Sequence, residues 1–152
     1  MTGMRIISLF SGMALTGILS IPALAADCDS LTGEWTNAIN GSPTLIITEV
    51  EDISGHLRGQ FTSPSGTAGE AFALTGWVVE SEPDRADDVV PALTFSVRFT
   101  PYGSVSAWSG TCRILDGVPT IETIWHLTRS HGDYDWDHQL TGTDVFVPVV
   151  SD

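Results

Sequence analysis

Residues 104–127 read SVSAWSGTCRILDGVPTIETIWHL, and this stretch decides the fold. Two runs rich in Val, Ile, Thr and Trp, Ser104–Ile114 and Thr120–Leu127, flank Asp116-Gly117, whose residue types favour a short reversal of the chain. The same grammar continues outward in both directions. Upstream it predicts strands near Leu31–Asn37, Thr44–Val50, His56–Thr62, Ala71–Val79 and Ala92–Thr100, and downstream one near His138–Val147. Asn40-Gly41-Ser42-Pro43 and Asp52-Ile53-Ser54-Gly55 supply turn chemistry after the first two upstream runs. No segment carries a convincing helical period and no internal repeat stands out. About eight antiparallel strands joined by short turns must either close on themselves or leave unpaired edges. The expected fold is therefore all-β, an eight-stranded antiparallel up-and-down β-barrel. The acidic stretch from Glu80 to Asp88, with Pro83 inside it, reads as a solvated loop.

Ahead of the strands, Arg5, the apolar run from Ile6 to Ile21 and the small-residue pattern Ala23-Leu24-Ala25 read as an export signal, so residues 1–25 are set apart as a cleaved signal peptide. Ser8, Ser11, Gly12, Thr16, Gly17 and Pro22 interrupt the run and argue against a transmembrane anchor. Residues 26–152 then form one domain, secreted or periplasmic, with no membrane attachment once the signal is gone. The chain has 6 basic and 19 acidic residues, a net charge of −13, which argues against binding nucleic acid through phosphate neutralisation. Solubility is the plain reading of that charge. Cys28 and Cys112 are the only two cysteines. In an oxidising compartment they can form a single intramolecular bridge, free thiols being the alternative.

Several spaced words in these strands resemble the avidin and streptavidin family over nearly all of residues 26–152. They are Leu31-Thr32-Gly33-Glu34-Trp35-Thr36-Asn37, then Gly41-Ser42, Gly59-Gln60-Phe61-Thr62-Ser63, Trp108-Ser109-Gly110-Thr111-Cys112, Ile124-Trp125-His126-Leu127, Trp136, and Gly142-Thr143-Asp144-Val145-Phe146. Each alone is weak; their order and separations carry the resemblance. The cysteines fall where animal avidins place the halves of their disulfide.

The resemblance implies a binder of biotin with no catalysis and no cofactor. It sets Asn37 and Ser42 as donors to the ureido oxygen, with Ser63 and Asp144 as acceptors for the two ureido N–H groups. A carboxylate accepting one N–H while donors sit on the carbonyl favours the charge-separated resonance form, so the hydrogen bonds strengthen one another in a dry cavity. Trp108, Trp125 and Trp136 match the aromatic cage, and Phe99 stands where the family usually has another tryptophan. Ser106 corresponds to the hydroxyl near the sulfur and Leu127 to an apolar wall. Ser104 and the backbone N–H of Thr67 correspond to carboxylate donors at the mouth, with the loop Ser63 to Gly69 as a lid. Trp35 reads as core. Trp136 belongs to a neighbouring subunit in tetrameric members, so a homotetramer is favoured, with a homodimer as the alternative.

The chain departs from the family pattern at Phe61, where a tyrosine usually gives a third donor to the ureido oxygen, and at Pro101 and Tyr102. One extra residue separates Asn37 from Ser42. Three rival readings remain open. Asp133, Asp135 and Asp137 alternate beside His126, His131 and His138, but His138 stands where a calcium loop needs glycine, so these acids read as a solvated loop and no metal is expected. Ser, His and Asp are scattered with no Gly-x-Ser-x-Gly word to set a hydrolase nucleophile. A lipocalin-like carrier of another small apolar ligand would share the barrel but lack a polar floor.

Overall fold

The computed structural model describes residues 26–65, 67–79 and 88–150. The signal segment and most of the acidic loop at 80–88 lie outside the described residues. Eight strands follow in chain order: β1 (Gly33–Asn37), β2 (Thr44–Val50), β3 (His56–Thr62), β4 (Ala71–Val79), β5 (Ala92–Phe99), β6 (Ser104–Leu115), β7 (Val118–Arg129) and β8 (Gln139–Pro148). Each pairs antiparallel with the next, and β8 returns to β1, so the sheet is a closed barrel in the order β1 to β8.

Side-chain alternation explains why these residues make strands. Along β4, Phe72, Leu74, Gly76 and Val78 are buried while their neighbours face outward, the period of two that a half-buried strand requires. The same parity sends Phe95, Val97 and Phe99 of β5 and Ser106, Trp108 and Cys112 of β6 into the interior. The hairpin between β6 and β7 turns through Asp116 (φ 51°) and Gly117 (φ 81°), flanked by the pair Leu115 and Val118. Positive φ at both central residues belongs to a primed turn, whose twist matches that of the strands it joins.

The two ends of the barrel differ. At one end the segment preceding β1 folds across the opening, burying Ala26, Cys28 and Leu31 against the core. Trp35 is fully buried and donates its indole N–H to the Leu31 carbonyl at 2.9 Å, which confirms it as core and fixes the plug to β1. Leu31 therefore belongs to the plug rather than to the first strand, whose start is shifted to Gly33 by an extended, positive-φ backbone (145°). Cys28 is bonded to Cys112 on β6, 84 residues away in sequence. The opposite end is left to the β1–β2, β3–β4, β5–β6 and β7–β8 connections. The last contains a 3₁₀ turn, Asp135–His138, where the sequence suggested only an acidic loop. Its backbone is held by Arg129, whose Nε–H donates to the Asp137 carbonyl at 2.6 Å and whose guanidinium pairs with the Asp137 carboxylate.

The disulfide closes a loop long enough to remove about 4 to 5 kcal/mol of unfolded-chain entropy. Replacing both cysteines with serine is expected to lower the denaturant midpoint by a corresponding amount with the slope little changed. Equilibrium urea unfolding of the double variant checks this; a loss below about 1 kcal/mol would show that the plug holds without its staple.

Candidate functional site

A cavity of about 420 Å³ opens at the end of the barrel away from the plug. Parity places its walls. The inward positions at the ends of β3, β5 and β7 and the starts of β6 and β8 supply Phe61, Phe99, Leu127, Arg129, Ser104, Ser106, Trp108 and Leu140. Ser63, Ser65 and Thr67 enter from the β3–β4 connection, Tyr102 from the β5–β6 turn, and His131 from the β7–β8 connection. A second hollow, about 640 Å³, lies between the plug and the β2–β3 turn. Its lining holds no aromatic side chain and several turn residues, so size alone does not select it.

The floor is organised around one carboxylate. Asp144 on β8 accepts the Asn37 Nδ2–H at 3.0 Å through one oxygen and the Trp108 indole N–H at 2.9 Å through the other. Its backbone carbonyl takes the Thr123 hydroxyl at 2.9 Å. Asn37 is itself fixed from the far side, its Oδ1 accepting the N–H of Ile39 at 3.0 Å. Asp144 is half-buried, and two donors from two other strands offset the cost of drawing its carboxylate out of water. Among the described residues it is the only acidic side chain in the lining, and the one arginine there, Arg129, is already paired to Asp137.

The walls are aromatic. Trp108 stacks on Phe95 at 4.9 Å and an angle of 11°, and Phe61 leans on Trp108 at 4.7 Å. Phe99 meets Phe61 edge-on at 6.0 Å. Trp125 pairs across from Trp108 on β7 and is seated by Gly142 on β8, where an added Cβ would lie 2.5 Å from the indole Cζ2. Gly142 is therefore there for room: its absent side chain is the space the indole occupies.

Of the residues singled out in the sequence, Phe61, Ser63, Thr67, Phe99, Ser104, Ser106, Trp108, Trp125, Leu127 and Asp144 line this one cavity. Asn37 stands behind the lining, buried and bonded to Asp144. Ser42 is half-buried in the β1–β2 turn with its N–H on Asn40 Oδ1 at 3.1 Å, and its neighbour Pro43 reaches the wall instead. Trp136 is outside: it is 72% exposed on the 3₁₀ turn and stacks on Tyr134 at 5.7 Å and 7°. Pro43, Ser65, Tyr102, Arg129, His131 and Leu140 were not foreseen as lining. Arg129 had a signal, since it continues by two residues the inward parity of Trp125 and Leu127. Among the acids and histidines of the β7–β8 connection, Asp137 is committed to Arg129 and His138 Nδ1 lies 2.9 Å from the Arg129 carbonyl oxygen. Among the described residues no group of three His, Cys, Asp or Glu side chains is placed to hold a metal ion.

The Avidin family pattern matches residues 25–149. The chain is similar to avidin from Gallus gallus, 28% identical over 142 residues and 88% of each chain. It is also similar to avidin-related protein 4/5 from Gallus gallus, 29% identical over 143 residues, which cover 88% of this chain and 87% of the relative. Among solved structures, xenavidin superposes with a TM-score of 0.62 at 22% identity, over 78% of this chain and 97% of its own, which shows a shared fold.

Gly142→Ala is expected to push the Trp125 ring into the cavity and to cost about 1 to 3 kcal/mol, the range for overpacking a well-filled site. Thermal unfolding gives the stability loss, and near-ultraviolet circular dichroism reports the displaced indole. An unchanged aromatic spectrum would mean that the two residues are not in contact.

Proposed function

Because the chain belongs to the avidin family, we propose that it binds biotin in the 420 Å³ cavity and performs no chemistry on it. The observation that carries this reading is the convergence of Asp144, gripped by Asn37 and Trp108, with Ser63, Ser104 and Ser106 inside an aromatic enclosure. A polar floor under tryptophan and phenylalanine walls suits a ligand with a urea-like head and an apolar body; a carrier of purely apolar ligands gains nothing from a half-buried carboxylate.

In this reading the head of biotin enters first. Asp144 and Ser63 accept the two ureido N–H groups, while the second Nδ2 hydrogen of Asn37 and the Ser42 hydroxyl turn to the ureido oxygen. Asn37 couples the two sides: it donates to Asp144 and to the ligand's oxygen at once, so charge drawn toward the oxygen is matched by charge at the carboxylate. Trp108, Trp125, Phe61, Phe99 and Leu127 enclose the sulfur-containing ring and the chain, with Ser106 near the sulfur. Ser104 and the Thr67 N–H meet the ligand's carboxylate at the mouth. A floor fixed before the ligand arrives loses little conformational freedom on binding.

Export directed by residues 1–25, with their removal, and assembly into a homo-oligomer complete the proposal. The exposed Trp136–Tyr134 stack, together with Val105 and Ile124 on the outer face of β6 and β7, supports a partner surface, and a neighbouring copy would use Trp136 to cover the mouth. Native mass measurement counts the subunits, and a strict monomer at micromolar concentration would remove this part of the reading.

Calorimetry with biotin on the oxidised protein, run beside a retinoid and a fatty acid, tests the central claim. One biotin per chain is expected with no response to the apolar ligands; the reverse pattern would make the barrel a lipocalin-like carrier. Phe61→Tyr places a hydroxyl where the floor has an aromatic edge and adds a donor worth about 1 to 3 kcal/mol. Biotin release from that variant is expected to slow by roughly 5- to 150-fold, and an unchanged or faster off-rate would show that Phe61 does not face the ureido oxygen.

A further inference from the structure

Tyr102 occupies the mouth of the cavity from within the same chain, on the turn between β5 and β6. Aromatic packing fixes it there. Its ring meets Phe72 edge-on at 6.1 Å and 74°, and Phe72 meets the wall residue Phe99 in the same manner at 5.1 Å and 70°. Burial of the ring and the negative charge of Glu70, just before β4, raise Tyr102 above the ordinary tyrosine value. The turn itself is pinned: the Gly103 carbonyl accepts the Ser130 N–H at 2.9 Å and the Ser130 hydroxyl at 3.1 Å, which ties it to the end of β7. Trp136, by contrast, points away from this chain's own cavity.

We infer that Tyr102 is a specificity-determining cover residue, whose ring closes the mouth over the tail of the ligand and favours a tail that ends inside the cavity over one that continues outward. The inference rests on the reading of the cavity as a biotin site. Its physical basis is preorganisation. A ring already seated on Phe72 covers a short tail without further ordering, whereas a bulky group attached beyond the carboxyl must lift the ring from that seat. The cover comes from the same chain as the cavity, so it acts whether or not a neighbouring copy is present.

The test compares dissociation of free biotin with that of biotin joined through its carboxyl to a bulky amine, on the oxidised wild-type protein, Tyr102→Ala and Tyr102→Phe. Tyr102→Ala is expected to release free biotin about five- to twentyfold faster, the effect of one lost aromatic contact, while release of the conjugate changes by less than twofold. Tyr102→Phe keeps the ring on Phe72, so its ratio of the two rates should stay close to that of wild type. The ratio is the decisive reading, because general loosening of the barrel accelerates both ligands alike. Equal acceleration of both, or of neither, overturns the cover. Should Tyr102→Ala not fold, Tyr102→Leu is read by the same ratio. Wild-type protein that binds neither form overturns the biotin reading itself, an outcome distinct from an unchanged ratio on a protein that binds.

Discussion

Everything in this molecule hangs on the seam where the last strand returns to the first. β1 is only five residues long, and it meets β8 through Trp35, Thr36 and Asn37 against Pro148, Val147 and Phe146. Two further backbone bonds extend the join, Ala38 N–H to the Val145 carbonyl at 2.8 Å and Val149 N–H to the Glu34 carbonyl at 2.9 Å. Without this closure both strands would offer unpaired edges to solvent. The seam also builds the floor of the cavity, because the Asn37–Asp144 hydrogen bond spans the same two strands. Shutting the sheet and assembling the polar end of the cavity are therefore one event, and a chain that failed at the first could not present the second.

From that seam the aromatic content of the interior follows in order. Phe95 stacks on Trp108, Trp108 touches Phe61, Phe61 touches Phe99, Phe99 touches Phe72, and Phe72 touches Tyr102. This chain of rings runs from the middle of the barrel to its rim. Edge-on contacts predominate toward the rim, the arrangement favoured by the charge distribution of aromatic rings. The substitution of phenylalanine at 61 fits this setting: without a hydroxyl to satisfy, the ring sits 3% exposed between two aromatic neighbours.

Much of this architecture is legible in the chain itself, and the reason is periodicity. Strands with one wet face and one dry face, such as Ala71–Val79, declare themselves through alternation, and Asp116-Gly117 declares its turn through residue chemistry. The gaps have equally definite causes. Where alternation fades into polar residues, as at Thr128, Arg129 and Ser130, a reader stops the strand at Leu127 and so leaves Arg129 off the wall, although parity already points it inward. Leu140 was within a predicted strand, but nothing local distinguishes a residue at a cavity from one in the core. The 3₁₀ turn Asp135–His138 has no period at all; it is held by Arg129, a contact that exists only after β7 is in place. Spacing singles out Ser42 and Trp136, but the direction of each side chain depends on turn geometry and on neighbours.

The plug at the far end of the barrel gives the molecule the topology of a cul-de-sac. Ala26, Cys28 and Leu31 stopper that opening, and Cys112 bolts the stopper to the wall. A guest admitted at the rim must leave by reversing its own path, so arrival and departure share one bottleneck. Changes beside the stopper then alter how long the protein stays folded, and changes beside the rim alter how long a guest stays inside, which lets residence and durability vary separately within a single small barrel.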